Sequence, residues 1–115
     1  MTIREISRLL GAKIYCGEEM LDKEVQNGFS CDLMSDVLAY AENEAVLLTG
    51  LVNPQVVRTA EMMDIACLVF VRGKEPTETM IQLAEERSIV LMSTDKGMFT
   101  SCGTLHGAGL KSGDE

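Results

Sequence analysis

The chain has no tryptophan, only three phenylalanines and two tyrosines, two prolines and a single histidine in its 115 residues. A core with so few rings has to be built from Val, Ile, Leu, Ala and Met, and the eight methionines serve it as adaptable filler. Long apolar runs are missing too. Those present are strand-sized, well short of the roughly 20 residues that cross a bilayer. No charged-then-apolar leader precedes the helical grammar of Met1-Thr2-Ile3-Arg4-Glu5-Ile6, so a cytoplasmic protein is expected. Basic excess is absent as well: Lys and Arg number 10 against 18 Asp and Glu, for a net charge of −8. Such a surface repels phosphate backbones and anionic bilayers, which argues against nucleic acid and membrane as partners.

Chemistry-bearing motifs are equally scarce. Cys16, Cys31, Cys67 and Cys102 form no C-x-x-C pair, and His106 is the only imidazole, so four reduced thiols are expected and no structural zinc site. A site assembled by folding from Cys31, Cys102 and His106, or a redox role for Cys31 or Cys102, stays open as a minor reading. The segment from Gly107 to Ser112 approaches a P-loop, but Leu110 intervenes and no strand-then-helix frames it. No G-x-G-x-x-G is present either. Neither kinase chemistry nor a dinucleotide cofactor is expected, and no cofactor is assigned.

What remains is a clear fold signal. Apolar runs at Val46–Gly50, Ala66–Val71 and Ile89–Ser93 alternate with amphipathic helix patterns from Asn53 to Asp64 and from Pro76 to Ser88. The strands are apolar almost throughout, the mark of strands covered on both faces, so they should run parallel through helical crossovers. The fold class is thus α/β, a single three-layer-like domain with a mainly parallel sheet on a βαβαβ core. Upstream, Thr2 and Glu5 form a capping box for a helix carrying Ile3, Ile6, Leu9 and Leu10, which Gly11 ends, and a short strand follows at Lys13–Cys16. Residues 18–32 read as strand and loop with Val25 and Phe29 buried. Asp32 or Ser35 caps a short helix to Ala41 with Leu33, Val37, Leu38 and Ala41 inward, and Asp95 caps a last helix carrying Met98, Phe99, Cys102 and Leu105. The domain is taken as residues 1–110, with 111–115 a frayed polar tail.

Ligands in open α/β sheets gather at the carboxyl ends of the strands. Here those ends carry Thr49-Gly50, Arg72-Gly73-Lys74 and Ser93-Thr94-Asp95. Asn53 as N-cap and Pro54 at N1 leave free N–H groups facing the first end, which suits an anion. The candidate ligand set is therefore Gly50, Asn53, Arg72, Gly73 and Lys74, against the plainer reading of loop capping and pairing with Glu75 or Glu78. Asp32 and Asp36, four apart, would share a helix face and could hold a metal or act as acid and base, against the plainer reading of a helix cap facing solvent. No catalytic residue is assigned.

The runs from Leu48 to Ala60, Leu68 to Ala84 and Ile89 to Thr94 resemble a DRTGG domain. Most of the likeness lies in Val71-Arg72-Gly73-Lys74-Glu75-Pro76, then Leu83-Ala84-Glu85-Glu86, then Ile89 to Thr94. At the Gly-Asp-Arg and Thr-Gly-Gly places that name the family, this chain reads Gly50-Leu51-Val52 and Val71-Arg72-Gly73. Such modules occur fused to phosphotransacetylases and CBS-containing pyrophosphatases, and are similar to the N-terminal domain of HPr kinase/phosphorylase. The resemblance implies a non-catalytic regulatory or assembly module that self-associates, most simply as a homodimer. A small sheet with edges to cover and Met-rich helices suits that. A nucleotide or phosphometabolite sensor is the second reading, and a small anionic metabolite is the ligand class.

Overall fold

The computed structural model describes residues 1–115, and its elements follow the apolar grammar closely. Helix α1 (Ile3–Leu10) leads to β1 (Lys13–Cys16), a 3-10 turn at 18–20 and β2 (Asn27–Ser30). Then come α2 (Met34–Tyr40), β3 (Ala45–Thr49), α3 (Pro54–Met62), β4 (Cys67–Phe70), α4 (Glu78–Glu86), β5 (Val90–Ser93) and α5 (Met98–Gly107). The five strands form one sheet in the order β1-β5-β4-β3-β2, parallel except for β1, which pairs antiparallel with β5.

From β2 to β5 each new strand is added on the same side of the last. Right-handed crossovers repeated in one direction place all their helices on one face. Helices α2, α3 and α4 accordingly pack Met34, Val37, Val56, Val57, Ala60, Met80 and Ala84 on the sheet face formed by Leu47, Leu68, Phe70 and Leu91. The opposite face, Val46, Leu48, Cys67, Val69, Val90 and Met92, is covered from outside the crossover run by α1 and α5 through Ile3, Ile6, Leu10 and Leu105. Every residue of β3, β4 and β5 is buried, as the uninterrupted apolar runs require.

Local signals set the helix ends. The capping box is present, with the Thr2 hydroxyl accepting from Glu5 N–H, and Gly11 closes α1 in the left-handed region at φ 58°. Asn53 caps α3 by accepting from Gln55 N–H at 2.8 Å, with Pro54 in the first turn, and Thr77 caps α4. The helices entering β3, β4 and β5 turn through the non-glycine residues Glu44, Asp64 and Ser88 at φ 55–59°.

Several readings need correction. Leu33 rather than Asp32 or Ser35 is the N-cap of α2, and no side chain caps it. Leu33 and Leu38 are 58% and 44% exposed instead of facing inward, because the short helix turns only Met34, Val37 and Ala41 to the sheet. The last helix starts from Gly97 instead of an Asp95 cap, and its inner face is Ser101 and Leu105, leaving Phe99 91% exposed. Phe29 is only partly buried. Nor does the tail fray. Gly28 N–H donates to Lys111 O at 2.9 Å, Ser112 bridges Gly28 in parallel, and His106 Nε2 lies 2.9 Å from Glu115 Oε1. An unpaired edge of β2 supplies the backbone partners that draw the tail in.

Two left-handed glycines allow a direct check on packing. A Cβ on Gly11 meets nothing within 4 Å, whereas one on Gly17 (φ 85°) lies 2.9 Å from the Val90 Cα. Gly11→Ala should cost only the left-handed strain, about 1–2 kcal/mol. Gly17→Ala should add an overpacking cost of about 1–3 kcal/mol and visibly disturb β5. Urea melts of the two variants side by side check this, and equal losses would show that Gly17 is not held against β5.

Candidate functional site

The carboxyl edge brings together part of the expected set. Gly50 and Lys74 meet directly, the Lys74 ammonium donating to Gly50 O at 2.8 Å. The partner the sequence reading missed is Asp32. Its Oδ1 accepts from the Thr49 hydroxyl at 3.0 Å and from Gly50 N–H at 2.7 Å. Asp32 therefore lies before α2 instead of on it. It shares no helix face with Asp36, and no three His, Cys, Asp or Glu side chains gather as a metal site requires. A Cβ built on Gly50 would lie 3.4 Å from Asp32 Oδ2 and 3.5 Å from Lys74 Nζ, so both charges flank one backbone turn. The two do not close into an ion pair; Lys74 donates instead to the Gly50 carbonyl, with the other two N–H donors of its ammonium left over.

Arg72 and Gly73 sit at the centre of a tight turn closed by Lys74 N–H to Val71 O, with φ of 58° and 70°. Positive φ at both central residues is the type I′ pattern, which glycine takes without strain and arginine does not. Their N–H groups are already engaged, Arg72 to Lys96 O and Gly73 to Thr94 O, both at 2.8 Å. The chain leaves β4 toward α4 on one face and β5 toward α5 on the other, which is where an open α/β sheet forms its ligand crevice. Here the two loops are stitched together across it. Ser93 Oγ adds a bond to Lys74 O at 2.6 Å. Exposed groups left for a ligand are the Arg72 guanidinium, which makes no ion pair, and Asn53 at the start of α3. Asn53 stands on the next loop, its side chain given to its own helix.

At the β1 end of the same edge, Tyr15 donates to Glu75 Oε1 at 2.6 Å. Partial burial of the ring, reinforced by that hydrogen bond and the nearby carboxylates of Glu75 and Asp95, pushes the phenol up to about 12. The cysteines divide by depth. Cys67 lies sealed in β4, where burial raises its thiol far above the ordinary range, and burial also raises that of Cys16. Cys31 and Cys102 are partly exposed and unpaired.

A distinct concavity lies elsewhere. A groove of about 580 Å³ runs between β2 and α5, floored by Leu48, Leu105 and Leu110 and flanked by Phe29, Phe99 and His106. It exists because Gly28, Gly103 and Gly107 present no side chains along it. A second, polar hollow of about 480 Å³ lies at the amino end of the strands around the Arg87–Glu61 ion pair, where loops serve stability.

A family model for the DRTGG domain matches residues 5–108. The chain belongs to the DRTGG domain family. Among curated proteins none matches the sequence. A solved structure of the CBS and DRTGG domains of the regulatory region of Clostridium perfringens pyrophosphatase, complexed with its activator diadenosine tetraphosphate, superposes with a TM-score of 0.76. The two are 15% identical over 90% of this chain, which spans 45% of that one. At that identity the likeness carries the fold, and the activator is a fact about the pyrophosphatase.

The Tyr15 phenol offers a test of the edge. An unfolded tyrosine ionises near pH 10. With the folded value raised to about 12, the stabilisation is complete below the unfolded value and is lost as pH rises through the folded one. Ultraviolet titration should show one phenol ionising late, and Tyr15→Phe should abolish that late step and flatten the alkaline fall in stability. A late step that survives the substitution assigns it to Tyr40 and refutes the Tyr15–Glu75 bond.

Proposed function

We propose that this DRTGG domain is a regulatory module without turnover of its own. In this reading it senses a small anionic ligand at the carboxyl edge of its sheet and works as a homodimer. The ligand class is a nucleotide or phosphorylated metabolite, held by Arg72 and Lys74 over the turns at Gly50 and Gly73, with Asn53 at the rim. The observation that carries the reading is the convergence of the Thr49 hydroxyl, the Gly50 N–H and the Lys74 ammonium around one turn, two of them already bound to a carboxylate. Donors so arranged suit phosphate or carboxylate oxygens. Arg72 adds an exposed guanidinium that makes no ion pair, at the same edge of a chain of net charge −8. The nucleotide-activated regulatory region of the pyrophosphatase supports the ligand class by analogy of fold.

The dimer reading is supported by an unusual surface on α2, where Leu33, Leu38 and Tyr40 are 58%, 44% and 71% exposed. A second reading places the ligand in the β2–α5 groove, whose volume falls in the range of about 300–1,000 Å³ typical of small-molecule sites. The nearly free ring of Phe99 favours a flat partner there.

A thermal-shift panel of nucleotides and phosphorylated metabolites at millimolar concentration separates these readings. The edge reading expects stabilisation that Arg72→Ala weakens by about tenfold in affinity, the loss of one charged contact. If Phe99→Ala abolishes the shift while Arg72→Ala leaves it intact, the ligand belongs to the groove. No shift with any compound sinks both. Light scattering should give about twice the 12.6 kDa chain mass, and Leu38→Lys with Tyr40→Lys should return it to the monomer. A single-chain mass at every concentration would end the dimer proposal.

A further inference from the structure

We propose that Asp32 is a built-in occupant of the anion seat at the end of β3, displaced when a ligand anion binds, so that occupancy is transmitted to α2. The inference rests on the edge reading above and adds its mode of regulation.

The two sides of the contact differ in how firmly they are held. Thr49 is fully buried and fixed by the parallel ladder with β4 and by Val71 N–H donating to its O, and Gly50 is buried just past the strand end, its O accepting from Lys74. The donors thus lie at the buried end of β3. Asp32 is exposed and stands on the short connection from β2 to α2. Close by, that connection is held by Cys31 N–H to Leu48 O and by sulfur contacts between Cys31 and Leu33. A carboxylate bound by fixed donors at 2.7 and 3.0 Å supplies the oxygen and charge that a phosphate or carboxylate ligand would bring. Two anions cannot share the seat without repulsion. Ligand entry is therefore an exchange, and apparent affinity falls by the fraction of time that Asp32 is seated.

The exchange has a ready output. Asp32 is two residues from Met34, the first residue of α2, and this helix start has no side-chain cap to hold it once the carboxylate leaves. Leu33, Leu38 and Tyr40, the exposed apolar residues beyond it, are the face assigned above to self-association. Ligand anion and dimer surface are then linked through one side chain.

The experiment titrates the full chain with inorganic pyrophosphate and with ATP, following the backbone amides of Gly50 and Leu33 by NMR and affinity by calorimetry. In the unmodified chain both amides should shift together on saturation. Asp32→Ala vacates the seat and should bind about tenfold more tightly, leaving the Leu33 shift unchanged from its free position. Asp32→Asn keeps the shape, removes the charge and guards against an unfolded alanine variant; its gain should be smaller and in the same direction. If the natural chain binds but neither variant gains, or Leu33 stays still while Gly50 moves, displacement is wrong and the edge reading survives. Loss of binding in both folded variants makes Asp32 a ligand contact and overturns the proposal. No binding by any of the three proteins removes the edge reading itself.

Discussion

Strands β3, β4 and β5 are solvent-free on both faces, and they are joined by crossovers that all run one way across the sheet. That pairing of facts governs the rest of the molecule. One-way crossovers cover one face with α2, α3 and α4 and leave the other bare. Only segments before and after the crossover run can close it, which is the work of α1 and α5. The amino-terminal helix is therefore part of the core. Ile3, Ile6 and Leu10 bury against Val46, Val69, Val90 and Met92, and Thr94 Oγ ties the end of α1 to the end of β5 by donating to Leu10 O at 2.7 Å. Truncating such buried aliphatic side chains costs about 2–5 kcal/mol each, a large share of a small domain's stability.

The same topology decides what kind of ligand site is available. Without a reversal among the parallel strands, the only divergence of loops lies between β4 and β5. There Arg72 and Gly73 give their N–H groups to Lys96 O and Thr94 O. A buried sheet end cannot leave its amides idle, so the gap is closed by the backbone itself. On the proposed reading, recognition at this edge falls to side chains and to exchange with groups already bound there. Asp32 and Lys74 satisfy the two sides of the Gly50 turn for the same reason.

How far the sequence could be read follows from the range of each interaction. The three inner strands, the Thr2–Glu5 box, the Gly11 stop and the Asn53-Pro54 start were legible because each is written within a few residues. The likeness to the DRTGG domain rested on the same stretches. Asp32 was misjudged because its partners, Thr49 and Gly50, are 17 and 18 residues away, while an aspartate near a helix start has an ordinary local use as a cap. Tyr15 meeting Glu75 across 60 positions had no sequence signal at all. Phe99 and Leu38 were placed inward by periodicity alone, which locates an apolar face without saying that anything covers it. The β2–α5 groove was invisible for a related reason: it is defined by the side chains that Gly28, Gly103 and Gly107 lack.

Charge brings these strands of argument together. The body of the domain is acidic, and its ion pairs are peripheral: Arg4 with Asp22, Arg87 with Glu61 and Glu86, the amino terminus with Glu24. Such exposed pairs contribute little to stability. Arg72 and Lys74, like most of the chain's Lys and Arg residues, form no ion pair, and Lys74 is turned onto a carbonyl. A lone cation site on an acidic protein is a poor place for an anion unless fixed dipoles reinforce it, because the surrounding field acts over about 10 Å at moderate salt. The Thr49 hydroxyl and Gly50 amide are such fixed dipoles, and the domain satisfies them with its own Asp32. Keeping an internal anion there spares a buried amide from going unpaired and also holds the entry to α2. The two needs, a complete hydrogen-bond inventory at a closed sheet end and a positioned helix at the exposed apolar face, are met by one carboxylate, and the proposed regulation rests on that shared dependence.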